Sequence, residues 1–166
     1  DGLMQLYTSE EGVGDPADLV TLIDSAIADN PENVDLWFGR GRIFYALKNY
    51  DESIASFKKV VELKPDLFEG NYYLGVFYTI KADEMNKVMN EKQYSSQTAY
   101  DTDLKEVNAV YMDAVPWFEK AYELKKDDVN TLDFLKSICF RLRDEEGMMD
   151  KYNKYNTLLK EAKGEE

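Results

Sequence analysis

The sequence of 166 residues contains no histidine and a single cysteine, Cys139. These two facts remove most ways in which a chain does chemistry. Without histidine there is no Ser-His-Asp or Cys-His relay and no histidine-ligated metal. One cysteine cannot hold a zinc ion or an iron–sulfur cluster, and it cannot close a disulfide within the chain. Cys139 stands between Ile138 and Phe140, an apolar setting that reads as a buried structural thiol rather than a reactive one. There is no phosphate-binding loop and no glycine-rich dinucleotide fingerprint. Asp101-Thr102-Asp103 lacks the later ligands and the glycine of a calcium loop. Paired carboxylates remain, Asp127-Asp128 and Glu145-Glu146. Two carboxylates can divide acid–base work between them, but both pairs fall where helices are expected to end, and there acids serve solvation and capping. No catalytic residue, cofactor or metal site is therefore expected, and the chain reads as a non-enzyme.

With chemistry set aside, the elements must position a binding surface. The length suits one domain or a repeat array that behaves as one. A chain that is 44% hydrophobic and 32% charged, with nine Gly and four Pro, is apolar enough to fold. Its unbroken apolar runs are short, such as Gly75-Val76-Phe77-Tyr78, against the roughly 20 residues of a membrane-spanning helix, so no membrane insertion is expected. The net charge is −13, and residues 1–33 hold eight acids and no Lys or Arg. Nucleic-acid binding draws on clustered basic residues, and none cluster here, so DNA and RNA are not expected partners. The acidic start reads either as a solvated face or as a docking surface for a basic partner. The chain opens at Asp1 with no visible signal peptide, which suggests a mature or trimmed piece of a longer precursor.

Internal periodicity sets the fold. Pro31 and Pro65 are 34 residues apart, and so are Gly41 and Gly75, Ile23 and Phe57, and Phe118 and Tyr152. Trp37, Gly41 and Phe44 share one helical face, as do Leu74 and Tyr78. Ile54, Phe57, Val60, Val61 and Leu63 supply the apolar stripe of the helix that follows. A glycine on the first helix lets the two helices of a pair approach closely. This pattern resembles the tetratricopeptide repeat (TPR), whose signature is W-x2-L-G-x2-Y, then A-x3-F, then P. Trp37, Gly41, Phe44, Ser53, Phe57 and Pro65 match it, with Arg40 in place of the expected Leu. Leu74, Gly75 and Tyr78 open a second match, completed by Ala114, Phe118 and Ala121, with Lys126 in place of the Pro. The flanking units are degenerate: the first keeps Leu19, Ile23, Ala26 and Pro31, and the last replaces the Gly by Lys136. Such terminal units commonly cap a stack.

Phe57 and Phe118 lie 61 residues apart, one 34-residue period and 27 residues more. Apolar residues at helical spacing continue from Tyr78 to Met89, break in a polar stretch at 93–102, and resume from Leu104 to Ala121. The third unit is thus expected to project as an extended antiparallel hairpin, its second helix kinked near Met112-Asp113 by Pro116. Capping signals at Asp15-Pro16, Asn33, Asp51 and Asp66 with Glu69 place helices at roughly 3–10, 16–29, 34–48, 51–63, 67–93, 103–125, 129–143 and 147–162. The expected architecture is all-α: a TPR-like solenoid of antiparallel helix pairs, one array over residues 1–166. Its units are approximately 1–33, 34–67, 68–128 with the 27-residue insertion, and 129–162.

The resemblance implies a protein-interaction scaffold. In TPR proteins the first helix of each unit lines a concave groove, and residues one step off the packing stripe face the ligand. Carried over by phase, these are Phe38, Arg42 and Tyr45, then Tyr72, Val76 and Thr79, then Asp133, Ser137 and Phe140, with Arg141 beside the last. Aromatics and arginine dominate binding hot spots, while for each aromatic here packing between repeats is the competing role. TPRs that grip chaperone tails by a carboxylate clamp need Lys, Asn and Arg at set groove positions. Phe38, Tyr72, Tyr73 and Phe134 occupy several of those positions, so that ligand class does not fit. The expected partner is a protein or peptide; the alternative is a structural segment of a longer TPR protein whose other repeats carry recognition. A looser resemblance to envelope TPR proteins of Gram-negative bacteria implies a periplasmic location.

Overall fold

The computed structural model describes residues 16–164, and every regular element among them is an α-helix. The helix expected at about 3–10, and Asp15 as a cap, lie outside the described residues. The helices fall into two compact units that divide between Leu63 and Lys64.

The first unit holds α1 (Pro16–Asp29), α2 (Val34–Ala46) and α3 (Tyr50–Leu63). Pro16 opens α1 at the position where a missing N–H is harmless. Asn33 caps α2, its side chain accepting from the N–H groups of Asp35 and Leu36 at 2.9 and 3.3 Å. The cap of α3 is Asn49 rather than Asp51: its Oδ1 accepts from the Glu52 N–H at 3.3 Å, and the helix starts one residue earlier than expected. The turn between α2 and α3 places Lys48 in the left-handed region, at φ 57°. The crossing of these two helices explains the glycine. A Cβ on Gly41 would stand 2.4 Å from two ring atoms of Phe57, which is fully buried. Ser53 replaces the usual alanine at no loss, because its buried hydroxyl donates to the Gly41 carbonyl at 2.8 Å.

Arg40, the departure from the repeat pattern, ties all three helices. Its guanidinium donates to Asp24 of α1 at 2.8 Å, and to Glu52 and the Ser56 hydroxyl of α3 at 2.9 and 2.7 Å. It also lies over the Phe44 ring, 4.5 Å from the centroid.

The second unit holds α4 (Phe68–Glu91), α5 (Gln97–Leu124), α6 (Val129–Arg141) and α7 (Met148–Lys163). The α4–α5 pair is the extended hairpin, with helices of 24 and 28 residues against 13 and 16 for α6 and α7. Asp66 does not cap α4. The cap residue is Leu67, without a side-chain bond, and Asp66 pairs instead with Lys120 at 3.1 Å. What secures this turn is Asn71, whose amide donates to the carbonyls of Pro65 and Leu67 at 2.8 and 2.9 Å. Asn71 stands one period after Trp37, whose indole N–H donates to the Pro31 carbonyl at 2.7 Å, so different side chains make one bond in both places.

The polar break at the hairpin tip is shorter than expected. Residues 97–102 are helical, and only 92–96 form the turn. Polarity misled here, because this run satisfies itself along a helix: Ser96 accepts from the Ala99 N–H, and Gln97 donates to Asp101 one turn on. Asp103 then ties the tip, taking Lys92 at 2.5 Å and the Tyr94 hydroxyl at 2.7 Å. Helix α5 runs on through Pro116, which leaves the Met112 carbonyl without its usual helical donor.

The core repeats the motif of the first unit. A Cβ on Gly75 would meet the buried Phe118 ring at 2.9 Å, and Phe134 stacks on Phe118 at 4.8 Å. Cys139 is fully buried, which holds its thiol protonated and pushes its pKa up to about 11. Glu119 joins α5 to α7 by accepting the Tyr155 hydroxyl and Lys151 at 2.6 and 2.9 Å.

Candidate functional site

The first helices of the two pairs in the second unit, α4 and α6, border a recess of about 350 Å³. From α4 it takes Thr79 and Asp83; from α6 it takes Asn130, Asp133, Phe134, Ser137 and Arg141; the Tyr111 hydroxyl reaches it from α5. Helix geometry accounts for the set. Thr79 and Asp83 are one turn apart, and so are Asp133, Ser137 and Arg141 in succession, so each helix presents one face.

A polar network hardens the floor. The Tyr111 ring is buried, and its hydroxyl donates to the Asp83 carboxylate. Burial, reinforced by that bond, pushes the Tyr111 pKa well above the tyrosine range, so its proton stays in place to orient Asp83. The Arg141 guanidinium lies over the Tyr111 ring, 4.4 Å from the centroid, and donates to Asn86 Oδ1 at 2.7 Å. The wall therefore offers an oriented carboxylate, a cation, the Ser137 hydroxyl and the Asn130 amide beside the Phe134 ring. Such groups suit hydrogen bonding to peptide backbone and side chains.

Of the residues expected to face a ligand, Thr79, Asp133, Ser137 and Arg141 meet in this recess. Tyr72 and Val76 lie on the same helix but half-buried, packed against the core of the unit. Tyr72 touches the rings of Phe118 and Phe134, with centroids at 5.9 and 6.0 Å. Phe140 is 48% exposed, turned away from the recess and against Tyr152 at 5.2 Å. In the first unit, Phe38 and Arg42 are half-buried and Tyr45 is 42% exposed, all on α2. Phe38 packs edge-on to Phe57 at 4.9 Å, and Tyr45 lies 6.4 Å from Tyr50. Asp83, Asn130 and the Tyr111 hydroxyl were missed. Extending the ligand-facing positions by one turn, from Thr79 to Asp83 and back from Asp133 to Asn130, would have found two of them.

Helix pairs with glycine at their crossings, and a ligand-sized recess between successive first helices, define a helical-repeat interaction scaffold. The described helices have the all-α helical-repeat fold found in tetratricopeptide-repeat proteins. The model of the family "Tetratricopeptide repeat" matches residues 8–67. Among solved structures, MamA MSR-1 is similar at TM-score 0.55 and 18% identity, covering 94% of this chain and 82% of that one. MamA AMB-1 is similar at TM-score 0.54 and 19% identity, covering 87% of this chain and 61% of that one. At these identities the likeness establishes the fold. No curated protein sequence matches the chain. A TPR fold serves protein interaction, and among the described residues no helix is long and apolar enough to cross a membrane.

Proposed function

We propose that the chain is a non-enzymatic adaptor that binds a peptide segment of a partner protein on the α4–α6 face. The observation that carries this reading is the recess itself. Its lining sets hydrogen-bonding groups (Asp83, Asn130, Ser137, Arg141) beside the Phe134 ring, on α4, which crosses α5 at Gly75–Phe118, and on α6, which stacks Phe134 on the same Phe118 ring. Rigid helices present such groups at little entropic cost on binding. Tyr72 and Val76 extend the contact toward the N-terminal end of α4. On α2 of the first unit, Phe38, Arg42 and Tyr45 are a separate candidate set, taken by itself. One observation favours the structural alternative: the rings of Phe38 and Tyr72 sit against Phe57 and Phe118, where packing alone would hold them.

The test begins with a peptide selected from a random library on the immobilised chain. Ser137 is exposed, so Ser137→Trp fills the recess without disturbing the core. The substitution should weaken the selected peptide by about tenfold or more at an unchanged melting temperature. A peptide that binds the variant as well as the parent overturns the recess as the site. If Phe38→Ala and Tyr72→Ala lower stability and leave affinity alone, those two residues belong to packing.

A further inference from the structure

Arg141 and Arg143 stand at the end of α6 in a chain where 33 acidic residues outnumber 20 basic ones. Arg40 shows how such a chain satisfies a half-buried guanidinium, with carboxylates at 2.8 and 2.9 Å. Among the described residues neither Arg141 nor Arg143 has a carboxylate within ion-pair distance. Arg141 stacks on Tyr111 and spends one nitrogen on Asn86, while its Nε is buried without a hydrogen-bond partner. Arg143 lies over the Phe140 ring at 5.0 Å and donates only to the Phe140 carbonyl, at 3.3 Å.

These two arginines line a second recess, of about 530 Å³. Its other side is built by the overrunning part of the α4–α5 hairpin. Asn86 and Asn90 come from α4 and Asn108 from α5. Arg141 occupies the carbonyl oxygen of the Asn86 amide and leaves its NH2 to donate. The amides of Asn90 and Asn108 make no hydrogen bond to the described residues. Apolar surface is contributed by Met89, Leu104 and Phe140, and one acid, Asp144, is also present. Two cations and three amides thus border a space in which Asp144 is the one carboxylate, with the Tyr100 hydroxyl and an apolar patch beside them.

We propose that the hairpin extension and the end of α6 form a receptor for an acidic side chain, Glu or Asp, of a partner protein. The apolar neighbour of that side chain rests on Met89, Leu104 and Phe140. This assigns the extension a role: without it the three amides and two of the apolar residues are missing. A carboxylate suits the recess better than a phosphate dianion, which would meet Asp144 and the net charge of −13 with twice the repulsion. Stacked guanidinium groups are already ordered, so little rotamer freedom is lost on capture. The proposal rests on the reading of the chain as an interaction scaffold; its recess shares only Arg141 with the first, so Arg143, Asn90 and Asn108 distinguish the two.

The experiment is a ¹⁵N NMR titration of the chain with acetyl-Leu-Ala-Glu-Leu-Ala-amide, which carries no free terminal carboxylate. The side-chain amides of Asn90 and Asn108 and the Nε–H groups of Arg141 and Arg143 should shift. The same peptide with Gln for Glu should bind about tenfold more weakly, as expected for loss of a charge-assisted bond. Arg141→Gln also removes the stack on Tyr111, so the decisive variant is the exposed Arg143→Gln, which should weaken the Glu peptide by a similar factor without changing the circular dichroism. Equal binding of the Gln peptide, tighter binding of inorganic phosphate at the same resonances, or no shift there overturns the proposal. Shifts confined to Thr79 and Ser137 would overturn it too, while leaving the adaptor reading in place.

Discussion

Substituting alanine at the two crossing glycines separates packing from helix propensity. In an open helix Gly→Ala stabilises by about 1 kcal/mol. At Gly41 the new Cβ would stand 2.4 Å from Phe57 Cδ2 and Cε2. That ring is fully buried and has Phe38 edge-on against it at 4.9 Å, so it has no direction in which to retreat. Overpacking of this kind costs about 1–3 kcal/mol, and at so short a distance the upper half of that range applies. Gly41→Ala should therefore be destabilising by about 1–2 kcal/mol net, or several degrees of melting temperature in a unit this small. At Gly75 the contact with Phe118 is 2.9 Å, so that ring, though backed by Phe134 at 4.8 Å, has less far to move than Phe57. There the two effects nearly cancel, and Gly75→Ala should lie within about 1 kcal/mol of the parent. Urea unfolding followed by tryptophan fluorescence makes the comparison, because Trp37 reports on the first unit and Trp117 on the second. A Gly41→Ala variant as stable as the parent, or a Gly75→Ala variant that loses more than Gly41→Ala, refutes the reasoning.

Arg40→Ala should cost about 1–2 kcal/mol, since it strips three hydrogen bonds, two of them to half-exposed carboxylates, while Arg40→Leu, which refills the space with the usual repeat residue, should lose less; urea midpoints decide. Lys48→Gly should stabilise the first unit by about 0.5–1 kcal/mol, because Lys48 holds φ 57° and glycine takes that conformation without a Cβ clash, and a lower melting temperature would contradict it. Burial pushes the Glu119 pKa up, but the bonds from Tyr155 and Lys151 outweigh it and leave the group below its ordinary 4.5. Its contribution is thus present above that value and fades as pH falls through the lowered pKa, and Glu119→Gln should flatten the acid limb of the stability curve. Tyr111 and Tyr155 have pKa values raised by burial and by carboxylate partners, so their stabilisation holds below about 10 and is lost as pH rises through the folded values. Absorbance at alkaline pH should show both ionising only with unfolding.

Spacing made the helix crossings legible. The 34-residue step from Gly41 to Gly75, and the 61-residue step from Phe57 to Phe118, located both glycine–phenylalanine contacts and the hairpin between them. The signals that failed were local and ambiguous. Asn49 and Asp51 are equally good caps by residue type, and only backbone geometry selects Asn49. Residues 97–102 are polar yet compatible with a helix, and composition alone cannot tell such a run from a loop. Arg40 looked like a defect in the repeat because its partners, Asp24 and Glu52, are 16 and 12 residues away on other helices. Tyr111 falls within the apolar run from Leu104 to Ala121, and spacing could not say where its hydroxyl would end. The proposed binding face was legible as far as helix phase carries, to Thr79, Asp133 and Ser137. Whether Tyr72 and Phe38 pack or bind depends on ring neighbours that spacing does not encode.

The claim that a partner segment lies across the α4–α6 face is tested most directly by mapping a library-selected peptide onto the ¹⁵N-labelled chain. The largest chemical-shift changes should fall on Thr79, Asp83, Asn130, Asp133, Ser137 and Arg141. Changes concentrated on α5 and α7 with these six residues unmoved would contradict it.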